Sequence, residues 1–241
     1  MFWANRTNKM LGVFLLLLPV LSIIGFLAGA SIGEIDPFDR SSVEELLRTI
    51  HDNQRLFTLS IVPFVVTDII VLVALAPLLY LTFHDRSRSL ALIGAFGILI
   101  SVSAFAIHEV VSMTLPYLAA DFFNAGGPGS IPAGNPVILQ SARSLSVVQG
   151  LAALMGQTAM GFGLTAFGIL LAWAPKGNYN PPRWLGAIGV LAGISAILTW
   201  LFLVNHTAGG IATLVAETAT MVMLITLGVW LLRQPTQSSR I

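Results

Sequence analysis

Asp68, His108, Glu109, Gln149, Gln157, His206 and Glu217 stand inside or at the edge of otherwise apolar stretches of the chain. Carboxylates and imidazoles are costly to bury in such surroundings, so they face protein, pair with one another, or mark an ion or proton path. Two carboxylates and two imidazoles supply the ligand types for a metal ion, with His108 and His206 as nitrogen donors, or the stations of a proton relay. Their spacing supports neither. There is no H-x-x-E-H, H-E-x-x-H or E-x-x-H run, and His108 and Glu109, adjacent on a helix, point about 100° apart. Ala104 and Ser112, one turn either side of His108, leave room for a flat ring, so a tetrapyrrole held axially by this imidazole is one option. No Ser/His/Asp arrangement is visible. The chain has no cysteine, which excludes thiol nucleophiles, disulfides and thiolate metal sites, so the sequence leans away from an enzyme. Three readings of the polar set stay open: mutual satisfaction that fixes helix register, a ligand or ion pocket, and a metal or tetrapyrrole site. Asp68, in PFVVTDIIV, is a separate intramembrane acid, with Thr67 and Pro63 as its expected local partners.

The elements that must position these groups follow from composition. Hydrophobic residues make up 56% of the 241 positions and charged residues 10%, against about 25% charged in a soluble domain. Mean hydropathy is +0.86. A soluble globule and a disordered chain are excluded, and a net charge of +1 offers no basic surface for nucleic acid. A membrane helix needs roughly 20 mostly apolar residues. Runs at about 10–30, 56–83, 89–118, 139–173, 184–204 and 210–232 qualify, and in hydrocarbon they must be helical to satisfy their own backbone. The first run has the basic start of a signal peptide but a longer apolar stretch, and reads as a membrane helix. Ser41 and Ser42 precede Glu44 and Glu45 at capping-box spacing, and Val43, Leu46, Leu47 and Ile50 recur at helical intervals. These predict an amphipathic helix at about 42–55, on the rim of the bundle or on the membrane. The link FNAGGPGSIPAGNP has no periodicity and is read as non-helical. The expected fold is all-α: one integral membrane domain over 1–241, a six-transmembrane-helix bundle with an outer amphipathic surface helix.

Orientation follows from the cations. With the N-terminus inside, Arg6, Lys9, Arg86, Arg88, Lys176, Arg183, Arg233 and Arg240 fall on the cytoplasmic side, and Arg40, Arg48, Arg55 and Arg143 on the other. Acids gather opposite, at Glu34, Asp36, Asp39, Glu44, Glu45, Asp52 and Asp121. Both termini are therefore expected to be cytoplasmic. In that frame His108, Glu109, Gln149, His206 and Glu217 fall in the outward half of the bilayer and are expected to cluster there. Gly25-x-x-x-Gly29, Gly29-x-x-x-Gly33 and Gly189-x-x-x-Gly193 allow close helix approach, within the bundle or to other membrane subunits.

The segment HDNQRLFTLSIVPFVVTDIIVLVALAPLLYLTF, then VVQGLAALMGQTAMGFGLTAFGILLAWA, then PPRWLGAIGVLAGISAIL, resembles a family of small bacterial six-helix membrane proteins known only as a domain of unknown function. The resemblance spans nearly the whole chain, and the P-R-x-L-G entry to the fifth span is its most distinctive piece. It implies a six-span fold and a bacterial inner-membrane setting, and it supplies no catalytic residues. The expected function is a non-enzymatic accessory or packing subunit of a membrane assembly. The alternative is a small bundle whose outward polar pocket binds or transports a small or amphipathic ligand, or ligates a tetrapyrrole through His108.

Overall fold

Apolar runs of this length settle into helix wherever backbone polar groups must find partners within their own segment. The computed structural model describes residues 2–30, 43–123, 134–173 and 181–234. The described elements are α1 (Phe2–Ala30), α2 (Val43–Asp52), α3 (Gln54–Val65), a π-helical turn (Val66–Val71), α4 (Leu72–Phe83), α5 (Arg88–Phe123), α6 (Pro136–Ala172), α7 (Arg183–Leu198), a 3₁₀ turn (Thr199–Leu203) and α8 (His206–Arg233). Among the described residues there is no strand, and six helical runs are long and apolar enough to cross a membrane. The second run, Gln54–Phe83, joins α3, the π-turn and α4.

Local chemistry explains several boundaries. Pro63 has no N–H to offer the preceding turn, and the π-turn begins three residues later. Asn135 precedes α6, its side-chain oxygen accepting from the Val137 N–H at 2.8 Å, and Pro136 takes the first helical position. Asn205 caps α8, accepting from the Ala208 N–H at 3.0 Å. That cap starts the sixth helix at His206, ahead of the expected start at Gly210, so Gly209 lies inside a helix it was expected to precede. The surface helix also differs from expectation. It stops at Asp52, a turn at Asn53 intervenes, and α3 starts at Gln54. The capping serines Ser41 and Ser42, Gly33, and positions 124–133 of the Gly/Pro-rich link lie outside the described residues.

The chain divides into two compact units. One comprises Met1–Val20, Ile70–Ser103 and Leu154–Ile241. Its helices meet through glycine. A Cβ added to Gly168 of α6 would stand 2.5 Å from the Val190 nitrogen and 2.8 Å from the Gly186 carbonyl oxygen of α7. A Cβ on Gly97 of α5 would stand 2.8 Å from the Ala159 carbonyl oxygen of α6. Gly189 and Gly193 also face α6, at Gly168 and at Gly161 and Thr165, so this motif packs within the unit. Trp200, on the 3₁₀ turn, donates its indole N–H to the Thr158 hydroxyl of α6. A void of about 40 Å³ between Leu15, Leu72, Ile98, Phe167, Met223 and Leu227 has apolar walls, and a water there would lack the polar partners it needs. In the α4–α5 link, Arg86 lies 5.2 Å from the Phe83 ring centre, and burial holds its guanidinium below its ordinary pKa.

The other unit comprises Leu21–Ile69 and Ala104–Ala153. Its core is where α2 docks. Val43, Leu46, Leu47 and Ile50 are buried against Phe57 and Ile61 of α3, Leu115, Ala119 and Phe122 of α5, and Ile138 and Ala142 of α6. The polar side of α2 stays exposed, with Arg48 3.6 Å from Glu44 one turn away. The amphipathic helix therefore spends its apolar face on protein, as a rim element rather than a membrane-surface one.

Candidate functional site

Three polar constellations emerge, and the two units hold different ones. In the second unit α5 and α6 are joined by hydrogen bonds at one level. His108 Nδ1 stands 3.1 Å from the Gln149 carbonyl oxygen, the Gln149 side-chain amide donates to the Ser112 hydroxyl at 2.7 Å, and Ser112 donates to the His108 carbonyl at 2.9 Å. Helical spacing produces this closed set: Ser112 stands one turn beyond His108, on the same face of α5, and Gln149 comes across from α6. With Nδ1 protonated toward the carbonyl, Nε2 is the nitrogen left to meet a ligand. Among the described residues, no three His, Cys, Asp or Glu side chains converge to hold a metal ion.

The second constellation is Asp68 with Glu109. Glu109 is only 4% exposed, and Asp68 is half-buried on the π-turn. The two carboxyls are electrostatic neighbours. Among the described residues neither makes a hydrogen bond or an ion pair. Asp68 was expected to find local partners in Thr67 and Pro63, but these partner each other, the Thr67 hydroxyl donating to the Pro63 carbonyl at 2.6 Å. A hydroxyl aimed back along its own helix is a common choice for buried threonine and removes it as a donor to its neighbour.

The third constellation lies in the first unit. Glu217 is exposed on α8, beside exposed Leu214 and Thr218 and in line with Ile211, Val222 and Ile225. It has no hydrogen-bond or ion-pair partner among the described residues. Thr213, expected on its face, donates to the Gly209 carbonyl instead, and Thr220 borders the apolar void. Gln157 is half-buried on α6 and His206 is exposed at the start of α8. The structure thus brings together His108, Gln149 and Ser112, and sets Asp68 and Glu109 within electrostatic range of each other in the same unit. It leaves Glu217 on a helix surface. Sequence reasoning placed Ser112 beside His108 but not its bond to Gln149, and it missed the Asp68–Glu109 juxtaposition. No spacing rule links residues on different helices.

A chain with six such helices and no strand among its described residues is a polytopic helical membrane protein in contact with a lipid bilayer. It belongs to the family described as a domain of unknown function, DUF4386, whose signature matches residues 10–234. No curated protein and no solved structure matches the chain.

Proposed function

We propose that the protein is a non-enzymatic subunit of a larger assembly in the bacterial cytoplasmic membrane, with both termini cytoplasmic. The observation that carries this reading is Glu217. The helix α8 has 28 residues and is about 42 Å long, against a hydrocarbon core of about 30 Å. Glu217 lies about 17 Å from its N-terminal end, inside the core for any centred placement. A carboxyl exposed there to acyl chains is a standing cost, and such groups almost always face protein. The surrounding Leu214, Ile211 and Val222 make the face apolar, as an interhelical seam requires. The occupant that fits is a transmembrane helix of a partner subunit bringing a basic side chain to the depth of Glu217. The side assignment rests on the eight-to-four split of Lys and Arg between the two sets of connections.

The test is purification from native membranes in a mild detergent, with mass determination of wild type and Glu217→Leu. The expected result is a defined complex for wild type, in which one partner has a basic residue within a transmembrane segment, and a free chain for the variant. Wild type migrating as a lone monomer overturns the reading.

A further inference from the structure

The apolar void of the first unit ends one turn from Glu217, and α8 is uncovered at that level. The walls of the void are buried except at Met160 of α6 and Thr220 of α8, which are half-buried. Glu217 stands three residues before Thr220, and Gln157 three residues before Met160, each on the same side of its helix as the wall residue. Both helices run from the outer connections toward the cytoplasm in the orientation proposed above, so both polar groups stand on the outer side of the void. Neither has a hydrogen-bond or ion-pair partner among the described residues. The cover over α8 changes along its length. Ala216 and Ala219 follow the face of Met223, whose sulfur would meet a Cβ on Gly189 of α7 at 2.8 Å. Gly228 faces α1, where its Cβ would stand 3.0 Å from the Gly12 carbonyl oxygen. Glu217 lies about three turns before Gly228 on that same face, and there it is exposed. The seam that α1 closes at Gly228 is thus open at Glu217.

We propose that the partner helix bringing a basic side chain to Glu217 also carries a leucine or methionine one turn nearer the cytoplasm, whose tip enters the void between Met160 and Thr220. The inference rests on the subunit reading and states what that partner must look like. Size selects the side chain. The void of about 40 Å³ is a little larger than the roughly 30 Å³ share of one water in the liquid, whereas a cavity that takes benzene measures about 150 Å³. The end of an aliphatic side chain fits and an aromatic ring does not. The apolar walls exclude a polar tip, which would lose its hydrogen bonds on entering. Gln157 supplies a second contact at the upper level, its side-chain oxygen accepting from the basic group that faces Glu217. Charge at one level and shape one turn below fix the register of the two helices, as knobs and holes do in helix pairs.

The experiment uses the full chain and its partner, purified together from native membranes in a mild detergent. It compares wild type, Thr220→Leu, which fills the mouth of the void from α8 itself, and a partner with alanine in place of its leucine or methionine. The partner sequence is expected to show that residue three or four positions to the cytoplasmic side of its basic residue. The alanine partner should lower the recovered complex by about tenfold or more, the scale of an emptied leucine site. Thr220→Leu with the unaltered partner should do the same. Combining the two should restore much of the loss, because the volume removed from one chain is returned by the other. A merely structural role for Thr220 would give no such rescue. Should Thr220→Leu fail to fold, Thr220→Met fills the same mouth with a more adaptable side chain and is read in the same way. Full recovery of the complex with folded Thr220→Leu, no rescue in the combined pair, or a partner without leucine or methionine at that spacing overturns this inference and leaves the subunit reading standing. Wild type migrating as a lone monomer overturns both.

Discussion

Replacing Gly168 with alanine should weaken the α6–α7 crossing by a predictable amount. The added methyl would stand 2.5 Å from the Val190 nitrogen and 2.8 Å from both the Gly186 carbonyl oxygen and the Gly189 carbonyl carbon. Ordinary contact begins near 3.4 Å, so α7 must retreat by roughly 0.6–0.9 Å, and the opposing atoms are backbone that cannot rotate aside. Overpacking of this kind costs about 1–3 kcal/mol. Alanine is the better helix former by about 1 kcal/mol, which offsets part of it. The net expectation is a loss of up to about 2 kcal/mol, or a melting point lowered by up to about 8 °C for a chain of this size. Gly210→Ala is the matched control. Nothing among the described residues lies within 4 Å of its added methyl, so only the helix-propensity gain of up to about 1 kcal/mol remains. Thermal unfolding of both variants and wild type, followed by circular dichroism in one detergent, reads the difference. Equal melting of the two variants would refute the claim that α6 and α7 touch through bare backbone at Gly168.

Three further substitutions test other contacts. Ser112→Ala removes the acceptor of the Gln149 amide and should cost about 0.5–2 kcal/mol in the same melting assay, with Ser112→Thr recovering part of the loss. Leu47→Ala empties a fully buried position on α2 and should cost about 2–5 kcal/mol, whereas Leu59→Ala on the exposed side of α3 should stay within about 0.5 kcal/mol. Thr165→Val keeps the side-chain shape and removes a buried hydroxyl that has no hydrogen-bond partner among the described residues, so it should leave the melting point unchanged or raise it; a fall of several degrees would show that this hydroxyl has a partner after all.

The number of spans, their helical state and the amphipathic character of the segment after Val43 were legible in the sequence. Each depends on a property of one continuous segment: length, apolarity or period. The ends were less legible. An asparagine cap at Asn205 moved the start of α8 upstream of the apolar run, and α5 ran on to Phe123, where its last turns receive α2. The π-turn at Val66–Val71 also had no clear sequence mark beyond Pro63, because the same residues fit an unbroken helix by composition.

Partner choice among the polar residues was decided only by tertiary structure. The sequence by itself determined which side chains would be costly in hydrocarbon, because cost follows from residue type and surroundings along the chain. It could not decide which of them meet. His108 found Gln149, Asp68 came within electrostatic range of Glu109, and Glu217 was left facing outward. The physical reason is rotational. A helix turns about 100° per residue, so a single π-turn or a small change in crossing redirects a side chain from a neighbouring helix to the surface while leaving composition and period untouched.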